Sequence, residues 1–75
     1  MNNERRKKIR KLIDEIERIK SEIDFVLDDE QYSFDNMPEN LQCSERGNNS
    51  EDAIDCLSDA IDSIKEAIDT LNSIY

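Results

Sequence analysis

The stretch Ala53-Ile-Asp-Cys-Leu-Ser-Asp59, Ala60-Ile-Asp-Ser-Ile-Lys-Glu66, Ala67-Ile-Asp-Thr-Leu-Asn-Ser73 decides the fold. It is one seven-residue pattern read three times in succession. Ile54, Leu57, Ile61, Ile64, Ile68 and Leu71 recur at alternating steps of three and four, and Ile74 and Tyr75 continue the row. On a helix those steps bring the side chains onto one face, and the period is that of a coiled-coil seam. An alanine precedes each a-position isoleucine, so Ala53, Ala60 and Ala67 line one edge of the seam. A small side chain there lets a neighbouring helix come close. The spacing predicts a helix from about residue 51 to residue 75. Ser50 or Asn49 is its expected cap, and Glu51 and Asp52 suit the positive end of its dipole.

Upstream, Ile9, Leu12, Ile16, Ile19, Ile23 and Val26 follow the same alternation of three and four, an a/d seam widened at e positions by Ile13 and Leu27. Glu30 takes the next a position, so the seam is expected to stop there. This predicts a first helix over about residues 3–30, capped by Asn2 or Asn3 and roughly 40 Å long at ~1.5 Å per residue. Phe25 falls off the main seam.

Between the two helices lie residues 31–50, expected to form a structured loop. Pro38 and Gly47 interrupt any continuous helix there. Pro38 suits the first turn of a short helix over Pro38–Gln42. Tyr32, Phe34, Met37 and Leu41 are expected to fold over the open end of the helix pair, with Asp35, Asn36 and Ser44 hydrogen-bonding the loop backbone. A loop held by rigid helices is also where a binding surface is displayed. The expected partner-binding residues are Phe34, Asp35, Asn36, Met37, Pro38, Glu39, Asn40, Leu41, Gln42, Ser44, Glu45 and Arg46.

Charge sets the direction of the second helix. Residues 1–20 hold eight basic and four acidic side chains, a net of +4; residues 21–75 hold two basic and fifteen acidic, a net of −13. Folding back places Arg5, Arg6, Lys7, Lys8, Arg10 and Lys11 beside the Asp62–Asp69 end. Each exposed pair contributes only about 0–1 kcal/mol, but orientation is a cheap choice that a sum of such terms decides. The expected fold is therefore all-α: a single domain over residues 1–75, an antiparallel helical hairpin with heptad packing. Two helices cannot enclose stripes this wide, and chains below about 80 residues rarely stabilise themselves with one core. A homodimer forming a four-helix bundle is the expected assembly.

Composition narrows the chemistry. The chain has 75 residues, 39% charged and 36% hydrophobic, a net charge of −9 and no histidine. Histidine is the commonest acid–base catalyst and metal ligand. Cys43 and Cys56 are not spaced as zinc ligands. Both lie near the loop, where a Cys43–Cys56 disulfide and two reduced thiols are the alternatives; an intracellular setting favours thiols. There is no Gly-rich phosphate loop and no nucleophile paired with a base. No enzyme activity and no cofactor or metal is expected. The longest apolar run, Phe25-Val26-Leu27, is far short of the ~20 residues of a membrane span. No apolar run follows the basic Arg5–Lys8 start, so no signal peptide is expected either. A cytoplasmic protein is the expectation.

The second helix also carries Asp52, Asp55, Asp59, Asp62, Glu66 and Asp69, an acidic stripe with the same spacing. It reads as a solvated outer face, or as a sparse imitation of a nucleic-acid backbone. The basic Arg5–Lys11 cluster balances acids or, less readily, binds nucleic acid directly; it has no aromatic side chains to stack on bases.

Finally, Tyr32-Ser-Phe-Asp-Asn-Met-Pro-Glu-Asn-Leu-Gln42, followed by Ser44-Glu-Arg-Gly47, resembles the central motif of a group of small, uncharacterised proteins from bacteriophages and Gram-positive bacterial genomes. These pair a charged heptad helix with a second helix of Ala-Ile-Asp/Glu heptads. The resemblance covers the whole chain, and the loop motif is its specific part. It implies a phage or prophage origin, hence a bacterial host cytoplasm, and supplies no catalytic residue. A small residue is common in that pattern where this chain has Cys43, which argues against a disulfide role. The function expected is a small acidic protein-interaction module, an accessory or inhibitor protein that binds a host or phage protein. The alternative is an acidic nucleic-acid mimic, or nucleic-acid binding through the basic end.

Overall fold

A computed structural model describes residues 1–74. The expected continuation of the core onto Tyr75 lies outside the described residues. The chain is a helical hairpin: α1 (Asn3–Asp35), a single turn α2 (Glu39–Gln42), and α3 (Glu45–Asn72). Its extents are 58 × 15 × 12 Å, the length set by α1 and the thickness by one layer of two helices.

Both long helices are capped by side chains that satisfy otherwise unpaired N–H groups. Asn2 Oδ1 accepts from Arg5 N at 2.9 Å. Ser44, not Ser50 or Asn49, caps the second long helix, its hydroxyl accepting from Gly47 N. The long connection expected over residues 31–50 therefore shrinks to residues 36–44. On the α1 side, Gln31–Asp35 contains no helix breaker, and Gln31 Nε2 donates to Asp35 Oδ1 at 3.0 Å across one turn. The helix ends at Asn36, whose backbone N–H and Nδ2 both donate to Tyr32 O. Met37 then precedes Pro38, a position that disfavours helix.

Gly47 does not break a helix; it lies within α3, buried, at a point of close approach. A Cβ built there would lie 2.5 Å from Gln42 C and from Leu41 O, and nearer still to Gln42 O. The α2 backbone crosses α3 at the one residue without a side chain.

The α3 positions expected to face inward are the ones withdrawn from solvent. Ile61 and Ile68 are buried and Ile54, Leu57, Ile64 and Leu71 half-buried, with Gly47 and Ser50 extending the row toward the connection. The α1 seam is rotated from the expected one. Its inward positions are Ile9, Ile13, Ile16, Lys20, Ile23, Leu27, Glu30 and Phe34, again in alternating steps of four and three. Ile13, expected at the edge, is the buried centre, whereas Leu12, Ile19 and Val26 are 43%, 48% and 54% exposed. The physical reason is width. A stripe that fills a, d and e spans more of the helix surface than one partner helix covers, so either the d or the e row must turn outward.

The a/e choice admits two polar residues to the seam, and each is accommodated. Lys20 lays its stem inward and pairs with Asp24 at 3.2 Å along α1. Glu30 accepts a hydrogen bond at 2.6 Å from the hydroxyl of buried Ser50, tying α1 to α3 near the connection. The seam does not stop at Glu30, as a charge at an a position had implied; it runs on to Phe34.

Candidate interaction site

The residues expected to bind a partner gather at one end of the hairpin, and several of them have structural tasks there. Phe34 and Met37 are half-buried and close that end. Gln42 Nε2 donates to Phe34 O at 3.0 Å, strapping α2 onto the end of α1. Ser44 Oγ donates to Leu41 O while it caps α3. Asn36 caps α1, and Pro38 stands at the N-terminus of α2. Asp35, Glu39, Asn40, Glu45 and Arg46 are exposed, and Arg46 projects from the first turn of α3 rather than from a loop. Tyr32, 73% exposed, does not fold over the end as the lid expected of all four apolar residues, and Leu41 is 37% exposed. The surface on offer is an acidic tip, with Leu41 and Tyr32 as its apolar elements.

A second surface is formed by residues whose spacing predicts core. Leu12, Ile19 and Val26 form a row on one flank of α1, with Phe25 beside it at 69% exposure. Its place relative to α3 follows from the groove on the other flank, an open volume of about 450 Å³ lined by Glu17, Lys20 and Ser21 of α1 and by Lys65, Ile68 and Asp69 of α3. That groove puts the polar flanks of both helices on one side of the hairpin. The opposite flank of α1 is Leu12, Ile19 and Val26; the opposite flank of α3 is Ala53, Ala60 and Ala67, all exposed. One broad face thus carries polar flanks of both helices, and the other carries an aliphatic row on α1 beside an alanine row on α3, with Glu15 and Glu22 at its outer edge. Residues at three-and-four spacing show that a stripe exists, but its rotation about the helix axis depends on which row the partner helix takes.

The acidic stripe and the basic end both lie at the surface. Asp52, Asp55, Asp59, Asp62, Glu66 and Asp69 are all exposed on α3. At the terminal end, Asn3, Arg6, Lys7 and Arg10 line an open groove of about 320 Å³. Cys43 and Cys56 are free and exposed, not bonded to one another. Among the described residues no helix is long and apolar enough to cross a membrane, and no cluster of three or more metal-ligating side chains occurs.

These features define an all-α protein built as an extended helical hairpin. The chain matches no family model, no curated protein and no solved structure.

Proposed function

We propose that this chain is a small acidic protein-interaction module without catalytic activity, and that it works as a homodimer packed as a four-helix bundle. The observation that carries the reading is the outward apolar row Leu12, Ile19 and Val26 on a hairpin only 12–15 Å thick. Contiguous apolar surface of this kind on a small chain marks a protein contact. In the dimer, the acidic tips remain open to a further protein. Phe34, Asp35, Asn36, Met37, Pro38, Glu39, Asn40, Leu41, Gln42, Ser44, Glu45 and Arg46 build that tip. Glu39, Leu41 and Arg46 are the exposed side chains best placed to touch the partner. An accessory or inhibitor role toward a host or phage protein suits a chain that offers surfaces rather than a cleft.

The test is affinity capture from nuclease-treated bacterial lysate with wild type and with a Glu39→Ala, Leu41→Ala, Arg46→Ala variant, alongside light scattering of both. A dimer mass for both chains, and a partner held by wild type and lost by the variant, is the expected result. A single-chain mass overturns the dimer, and equal capture by both overturns the tip as the recognition surface.

The uninterrupted exposure of six acids along α3 favours one second reading, a nucleic-acid mimic. That reading predicts capture abolished by Asp55→Lys, Asp62→Lys substitution and by high salt, with the tip variant unaffected.

A further inference from the structure

The dimer proposed above leaves open which face is covered and in which direction the second copy runs. The solvent-accessible surface is 5812 Å². A compact monomer of 8.8 kDa exposes roughly 4,800 Å² by the usual size scaling. The surplus of about 1,000 Å² per chain, or about 2,000 Å² for two, is the area a stable protein–protein interface buries. The apolar face is where a second copy recovers it, because the large row on α1 and the small row on α3 lie side by side there.

Direction follows from charge and register. Residues 20–60, the half nearer the connection, hold two basic and twelve acidic side chains, a net of −10; the other half nets +1. Packing two copies with their connections together would load one half of the bundle with −20. Packing them with connections apart gives each half −9. Register permits the second arrangement. From the Glu30–Ser50 hydrogen bond, eleven residues back along α1 and eleven onward along α3 reach Ile19 and Ile61. Ile19 is the midpoint of Leu12–Val26, and Ala60, next to Ile61, is the midpoint of Ala53–Ala67. A two-fold axis at that level maps each row onto itself.

We propose that the face carrying Leu12, Ile19, Val26, Ala53, Ala60 and Ala67 is covered by a second copy of this chain running in the opposite direction, with the two connections at opposite ends of the bundle. This rests on the dimer reading of the preceding section. The α1 helices meet across the axis at Ile19, and the α3 helices meet at Ala60. Each end of the bundle then carries one acidic tip and one basic pair of termini, which leaves two separate tips for partners.

Native Cys43, exposed in the connection, supplies the test. A Cys56→Ser chain labelled with a nitroxide at Cys43 is measured by double electron–electron resonance, with light scattering on the same sample. The expected result is a dimer mass and a Cys43–Cys43 separation approaching the 58 Å length of the hairpin. A dimer mass with a separation below half that length overturns the opposed packing and leaves the dimer standing. A single-chain mass overturns both. Ile19→Glu is expected to abolish the dimer, whereas Phe25→Glu, off the covered face, is expected to retain it. Retention by Ile19→Glu rejects this face.

Discussion

Replacing Gly47 by alanine should destabilise the protein, although helix propensity alone predicts the opposite. Gly47 sits in α3, where alanine is favoured over glycine by about 0.8–1.0 kcal/mol. Against this, the new Cβ would lie 2.5 Å from Gln42 C and Leu41 O, whereas carbon contacts settle at about 3.5–4.0 Å. These two and the still nearer Gln42 O are all backbone, so α2 must move by more than about 1 Å. Forced overpacking costs about 1–3 kcal/mol. The shift also weakens the Ser44 Oγ bond to Leu41 O and the Gln42 Nε2 bond to Phe34 O, each contributing about 0.5–1.5 kcal/mol. The net expectation is a loss of about 1–3 kcal/mol. For a domain of this size that lowers Tm by roughly 6–20 °C. Thermal melts followed by circular dichroism at 222 nm, at one fixed protein concentration, measure it. Asn48→Ala is the control. It is the next residue of the same helix, exposed, and should gain a few tenths of a kcal/mol from propensity. If Gly47→Ala melts at or above wild type, as Asn48→Ala should, the close crossing of α2 over α3 is refuted.

Three further outcomes are expected. Ser50→Ala removes the hydroxyl that donates to Glu30, leaving a half-buried carboxylate without that donor, and should cost about 1–3 kcal/mol in urea unfolding; an unchanged midpoint would show that Glu30 is adequately solvated by itself. Lys20→Leu fills a seam position with a branched apolar side chain and should raise the urea midpoint, since a partly exposed ion pair contributes only about 0–1 kcal/mol; a lower midpoint would mean that the lysine stem and its Asp24 pair suit the seam better than leucine. The Tm of wild type should rise with protein concentration, as mass action requires when folding and association are linked; a Tm constant over a hundred-fold range of concentration would count against a dimer.

The candidate surfaces were unevenly legible. The tip motif stood out because Tyr32–Gly47 abandons the heptad period of its surroundings. Its residues turned out to be divided between holding the corner, as Asn36, Gln42 and Ser44 do, and facing water, as Glu39 and Arg46 do. Composition does not make that division, since the same amide or hydroxyl serves either purpose. The helix limits differ from those the sequence predicts for a related reason. A charged residue at Glu30 looked like the end of a seam, and a glycine at Gly47 looked like the end of a helix. Each instead meets a specific neighbour: Ser50 Oγ for the carboxylate, and the α2 backbone for the missing side chain.

Periodicity is a local property of the chain, and it was enough to indicate two long helices and which α3 positions turn inward; the structure chose Asn2 over Asn3 as the first cap. Charge asymmetry, a property of composition along the chain, agreed with an antiparallel return. The rotation of α1 about its own axis is not local. Within α1 nothing ranks Leu12 against Ile13, and hydrophobicity alone favours Ile19 over Lys20, so the local pattern points to the d row. Only α3, lying across one side of the stripe and held by the Ser50–Glu30 bond, selects the e row and turns the d row outward. The apolar face exists because one helix can cover only part of a stripe this wide.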